Sequence, residues 1–253
     1  MMHSLIEILP TVVGVTLALG AGGLIKGIIS IGLPLISLPL LLMAVDIKSA
    51  IALLMVPMLV SNLMQAIEGE GTLAMLRRFT PLLLAMAVGT MIGTALFAAL
   101  SPQTLELTIG PLAILFSTAS YLHPNLTIPA RSEGWLGTLI GFVSGVIGGM
   151  STFFGPVLAA YVVGLRLGRD AFVKGISLIY VFASGYLVAG GLMHGFATPM
   201  LLVWSAVGMV PVYLGMRLGA LVRYRIDAEK FRVLVLAVVW LTGANMVRLG
   251  LGY

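Results

Sequence analysis

The chain has no cysteine among its 253 residues. Disulfides, thiol redox chemistry and thiolate metal sites are excluded together. Charge is nearly as scarce: 9% of the residues are charged, where a soluble domain carries about a quarter. The nine acids (Glu7, Asp46, Glu68, Glu70, Glu106, Glu133, Asp170, Asp227 and Glu229) all fall at or beyond the ends of apolar segments. Membrane-embedded cation carriers usually keep a carboxylate in the pathway. Its lack here argues against a metal or amine substrate. His3, His123 and His194 are scattered over termini and loops, so no histidine metal cluster and no cofactor is expected. No Walker-type glycine-lysine loop is present, and membrane segments leave no room for a nucleotide-binding domain. No histidine or carboxylate falls inside a span to serve a nucleophile, so an intramembrane enzyme is not expected.

What remains is apolar. Hydrophobic residues make up 60% of the sequence, and the mean hydropathy is +1.13. The runs are long enough to cross a bilayer, so the chain reads as an all-α integral membrane protein whose partner is lipid. The start, Met1 to Glu7, lacks the basic region of a secretory signal, so the first helix is expected to be retained. The net charge of +5 does not indicate nucleic acid, because the basic residues sit at helix ends. Apolar segments run over 8–30, 33–45, 49–67, 79–100, 104–121, 134–153, 156–165, 171–193, 198–221 and 230–250. Two are short. From Pro34 to Asp46 is about 18 Å of helix at ~1.5 Å per residue, too little for a ~30 Å hydrocarbon core. The 156–165 segment is shorter still.

The same pattern occurs twice. Gly23-Leu-Ile-Lys-Gly27 precedes Pro34, and Gly145-Val-Ile-Gly-Gly149 precedes Pro156, at an offset of 122 positions. Gly69 falls on Gly191 and Gly93 on Gly215 at the same offset. The expected organisation is a first membrane repeat over 1–121, a cytoplasmic linker over 122–133 and a second repeat over 134–253, with five helical segments in each. Placing the Arg77/Arg78 loop in the cytoplasm puts 11 of the 14 Lys and Arg residues inside, as basic residues prefer. The N-terminus then lies outside. Each repeat makes three crossings and one returning hairpin, so the two repeats are expected to be inverted, each with a broken or re-entrant hairpin. The sequon at Asn125 falls on the cytoplasmic linker and reads as chance.

The breaks are where a site is expected. Glycine and proline are poor helix interiors, but proline suits a first helical turn. Pro34 and Pro156 therefore read as starts of the two short helices. Ser30, Gly32, Ser151, Thr152 and Gly155 stand where caps or open backbone amides belong. Two helix N-termini within the membrane would suit an anion. The competing reading is that glycines such as Gly27 and Gly149 merely allow close helix packing. Lys26 is the only charge well inside a span, and it aligns with Gly148. It either pairs with the anion or snorkels to the headgroups. Asn62 and Gln65, with Ser177, Tyr180, Ser184 and Tyr186 in the partner segment, either line a path or join helices; Asn62 aligns with Ser184. Thr90, Thr94, Ser117 and Thr118 read as packing, and the fifteen methionines as core.

The stretch Gly22 to Pro34, continuing through Leu-Pro-Leu-Leu-Leu to position 42, resembles the first motif of the sulfite exporter TauE/SafE family. Gly141-Phe-Val-Ser-Gly-Val-Ile-Gly-Gly-Met-Ser to Pro156 is similar to the opening of that family's second repeat. The resemblance covers essentially the whole chain. It implies an inner-membrane permease, often an exporter, for sulfite, thiosulfate or organosulfonates. Lys26 stands where a small or apolar residue is expected in the first motif. The leading expectation is a secondary carrier of a small anion, with protons as one candidate coupling ion and room for a homo-oligomer. An uncoupled anion channel, or a carrier of another small organic anion, is the alternative.

Overall fold

The computed structural model describes residues 2–29, 32–67, 71–122, 128–222 and 228–252. They form eleven α-helices, and no strand occurs among the described residues. The first half holds α1 (Met2–Ile29), α2 (Leu33–Leu41), α3 (Ile47–Ala66), α4 (Thr72–Ala99) and α5 (Pro102–Leu122). The second half holds α6 (Glu133–Ser151), α7 (Gly155–Gly164), α8 (Arg169–Met193), α9 (Pro199–Val207), α10 (Met209–Val222) and α11 (Ala228–Gly250). A 3₁₀ turn over Ala130–Ser132 leads into α6. Six described stretches are long and apolar enough to cross a membrane, including Leu9–Ile28 and Ile47–Ala66.

Helix starts follow the sequence. Asp46 caps α3, its carboxylate accepting from Lys48 N at 3.0 Å and Ser49 N at 3.1 Å. Thr198 caps α9 and Pro199 opens it. The nine-residue α2 and ten-residue α7 both carry proline in the first turn. At ~1.5 Å per residue each is about 15 Å long or less, well short of a bilayer. α4 begins at Thr72 rather than near 79, so Arg77 and Arg78 lie within its first turns and not in a loop. A segment of the second half also departs from expectation. The single helix expected over 198–221 is interrupted at Gly208, giving α9 and α10. Pro211 has no N–H for the Val207 carbonyl, so the regular ladder fails there.

At the closest helix crossings small residues face inward, while large apolar residues both fill the remaining core and cover the outer surface. On α4, Leu84, Val88, Ile92 and Leu96 are exposed, while Gly89, Thr90, Gly93 and Thr94 are buried. A Cβ on Gly89 would meet the Phe142 carbonyl of α6, and one on Gly93 the Val146 carbonyl. The α1–α10 pair repeats this: Gly23 lies on Val212, Gly27 on Met216, and Gly215 on Gly20. Position numbers rise together along both pairs, so each pair is parallel. The α3–α8 pair runs the other way. Gln65 meets Ser177, and Gly191 lies on Met55. The α5–α11 pair is antiparallel as well, with Gly110 on Gly243 and Leu107 on Gly250.

Pro57 interrupts α3 from within. Its missing N–H would leave the Leu53 carbonyl without its helical donor. Ser205 of α9 replaces it: its hydroxyl donates to Leu53 O at 2.8 Å and accepts from Val56 N at 3.1 Å. Ser205 is fully buried, so water cannot take over. Ser205→Ala should cost about 1–3 kcal/mol of stability. Thermal unfolding in detergent would measure it, and an unchanged midpoint would show that α3 satisfies its own break.

Candidate functional site

The two hairpins are built differently. In the first, α2 returns along α1, with the Ser37 hydroxyl donating to Ala18 O at 3.0 Å. Gly22 lies directly against Ser37 and the Leu33 carbonyl, so no side chain fits there. The turn ends at Gly32, whose φ of 98° is a left-handed conformation that suits glycine. Gly32 O then accepts from Leu35 N at 3.0 Å. Pro34 sits in the first turn of α2, as expected. Ser30 lies outside the described residues.

The second hairpin turns through Ser151 and Thr152. The Ser151 hydroxyl donates to Ile147 O at 2.7 Å and accepts from Phe153 N at 3.2 Å, so it serves its own turn. Thr152 adopts φ 64°, left-handed and rare for a β-branched residue. Its hydroxyl is buried without a hydrogen-bond partner. Gly155 and Pro156 begin α7. The hairpin is anchored at its open end, where Tyr161 OH donates to Glu133 O at 2.9 Å. Arg78 of α4 meets the Glu133 carboxylate through Nε at 2.5 Å and Nη2 at 2.9 Å.

Gly27 and Gly149 are packing glycines. Gly27 lies on the Met216 backbone, and Gly149 on the Thr90 carbonyl and Gly93 Cα. Both are inside continuous helices, so their amides are already used. In the two hairpins the leading helices end at Ile29 and at Ser151.

Lys26 lies in the last turn of α1, just before the first break. It is 2% exposed and does not snorkel. Its Nζ donates to Asn62 Oδ1 of α3 at 2.5 Å, and Asn62 is itself 4% exposed. An ammonium has three donors, and the amide oxygen is neutral. Among the described residues, two donors and the charge of a protonated Lys26 are thus left without a hydrogen-bonded partner. The second half has no counterpart. At the position matching Lys26 stands Gly148, covered by the Phe154 ring. Phe154 in turn aligns with Gly32. The half with a lysine has glycine at the turn, and the half with glycine has an aromatic ring there.

Ser184, which aligns with Asn62, donates to Tyr180 O at 2.6 Å within its own helix. Asn62 and Ser184 both fall between the Gln65–Ser177 and Met55–Gly191 contacts, in the middle of the α3–α8 crossing. α2 packs on α1, α3 and α11, and α7 on α6, α8 and α5, with the α3–α8 pair also in tight contact. Lys26 and Asn62 are brought together across 36 residues. Thr94, Ser117 and Thr118 bond carbonyls of their own helices, as packing residues do. Lys174, at the start of the apolar segment 171–193, is buried in α8 at 7% exposure. Among the described residues the buried Tyr180 hydroxyl has no hydrogen-bond partner.

The family model for sulfite exporter TauE/SafE matches residues 15–246, from α1 through most of α11. The chain belongs to the sulfite exporter TauE/SafE family. As a TauE/SafE protein it is a multi-pass membrane transporter of sulfur compounds, and both hairpins and the Lys26–Asn62 pair lie within the matched span. Comparison with curated proteins and with solved structures gives no match.

Proposed function

We propose that this TauE/SafE protein is a secondary carrier that exports a small sulfur oxyanion, such as sulfite, thiosulfate or an organosulfonate, across the inner membrane. The Lys26 ammonium is the charged anchor of the site. The observation that carries this reading is its burial with one neutral partner, Asn62 Oδ1 at 2.5 Å. A buried charge without compensation costs several kcal/mol, and a bound oxyanion supplies the missing charge and acceptors. The Asn62 amide N–H₂ adds donors beside it. The Gly32–Pro34 start of α2 and the unpartnered Thr152 hydroxyl extend the polar surface available to the anion. Ser30, Gly155, Pro156 and Ser184 belong to the proposed lining on sequence grounds.

The two repeats are proposed to be inverted, with the N-terminus outside and the start of α4, with Arg77 and Arg78, at the cytoplasmic face. The antiparallel course of the corresponding helices α3 and α8, and of α5 and α11, supports inversion. So does the odd number of crossings per half. Inverted repeats permit alternating access by rocking around a fixed site.

Purified protein in liposomes tests the proposal, with sulfite, thiosulfate, sulfoacetate and acetate compared. Saturable flux of the sulfur anions, stimulated by the same anion on the opposite side, is expected. Flux that rises linearly with concentration, without such stimulation, would indicate a channel. No flux of any sulfur anion would refute the carrier. Reporters placing the Arg77 and Arg223 segments on opposite faces would refute inversion.

A further inference from the structure

The hydrogen bond between Lys26 and Asn62 fixes which way the amide is turned. An ammonium donates and never accepts, so the Asn62 oxygen is the atom that faces Lys26 Nζ. The Asn62 nitrogen is thereby held on the other edge of the amide, with two N–H donors that no described residue accepts. Lys26 keeps two N–H donors of its own beyond the one given to Asn62. Both side chains are buried.

The surrounding elements supply few acceptors. The Asn62 oxygen is taken by Lys26, and the Gly32 carbonyl at the turn accepts from Leu35 N at 3.0 Å. No carboxylate or imidazole lies on α2, α3 or α10. The ionisable residues of α3 and α10 are Lys48, near the start of α3, and Tyr213 and Arg217, both exposed. On α1 the acceptor side chains stand at its start, at His3 and Glu7. A hydroxyl such as that of Thr152 can donate or accept and so does not discriminate. The free groups of the Lys26–Asn62 pair are all donors.

We infer that the Lys26–Asn62 pair selects oxyanions that carry no proton, such as thiosulfate, sulfate or a sulfonate, over anions of the same shape that bear an O–H, such as hydrogen phosphate. This rests on Lys26 being the anchor of the proposed site, and it makes Asn62 a specificity-determining residue. A deprotonated oxyanion offers lone pairs on every oxygen to the N–H groups of the pair. A protonated one brings a donor that must leave water and find an acceptor. A donor buried without one loses roughly tenfold or more in affinity.

Sulfate and hydrogen phosphate isolate the effect, because at mildly alkaline pH both are tetrahedral dianions that differ by one O–H. The test is uptake of labelled thiosulfate into liposomes holding the full chain at that pH, against rising unlabelled sulfate or phosphate. Sulfate should reach half-inhibition at a concentration roughly tenfold or more below that of phosphate. Asn62→Leu removes donors without adding an acceptor; it should weaken thiosulfate and keep sulfate ahead of phosphate. Asn62→Asp replaces the amide donors by acceptors and pairs the Lys26 charge; it should weaken thiosulfate more and narrow or reverse the gap. The wild-type ratio decides the selectivity even where a variant fails to fold. Equal inhibition of wild type by both anions, or inhibition by neither, overturns the selectivity and leaves the carrier in place. A folded Asn62→Asp protein with the wild-type ratio overturns the part given to Asn62. Absence of saturable thiosulfate uptake by wild type overturns the carrier reading and the selectivity with it.

Discussion

Lys26→Met should fold and insert normally yet bind its anion about 10- to 100-fold more weakly, the equivalent of ~1.5–3 kcal/mol for a hydrogen bond to a charged group. Methionine keeps the length and apolarity of the side chain and removes only the charge. Stability changes little because two effects oppose. The variant removes a buried ammonium, whose dehydration costs several kcal/mol. It also leaves the Asn62 amide oxygen, 4% exposed, without its donor, at about 1–3 kcal/mol. The double variant Lys26→Met/Asn62→Leu removes both liabilities and should be at least as stable as wild type, while transporting no better than the single variant. Half-saturation in liposomes, with unfolding midpoints in detergent, separates the effects. Unchanged affinity, pH dependence and voltage dependence in Lys26→Met would leave the lysine with no part in transport.

Gly215→Val should prevent correct assembly. An added Cβ would collide with the Gly20 carbonyl and lie 2.7 Å from Leu24 N and 3.1 Å from Gly23 C. All three are backbone atoms of α1, so no rotamer change relieves the contact. The helices must separate, and the Gly23–Val212 and Gly27–Met216 contacts would open with them. Overpacking a well-filled core costs about 1–3 kcal/mol even when side chains can move, and here they cannot. Lys26 rides on α1 beside this seam, so surviving protein should also lose anion binding. Gly185→Ala is the control. Nothing lies within 4 Å of its Cβ position, and alanine gains about 1 kcal/mol in a helix. The yield of monodisperse protein after solubilisation reads both. Wild-type yield for Gly215→Val would mean that α1 and α10 are not held as closely as described.

Much of this architecture was legible in the chain. Low charge and long apolar runs dictate a membrane protein, because in hydrocarbon every backbone group must be bonded internally. Pro34 and Pro156, each followed by a run too short to cross, locate the starts of α2 and α7 to within a residue or two. The interruption at Gly208 was missed, although Gly208 and Pro211 are the local signal for it.

The site was less legible. The Gly23–Gly27 and Gly145–Gly149 motifs admit two readings, because a glycine marks an open backbone or a close neighbour equally well. Only the crossing of α1 with α10, and of α4 with α6, shows that these glycines are spaces for another helix's carbonyls. The sequence by itself determined the class, the short helices α2 and α7 and the presence of one deep lysine. Those are local properties, set by composition, spacing and the conformational limits of proline and glycine. The tertiary structure alone decided that Lys26 meets Asn62, that Ser205 completes the ladder at Pro57, and that Lys174 is buried behind Thr72. These partners lie 36 to 152 positions apart, and their meeting depends on how each helix is rotated about its axis and where it crosses its neighbours.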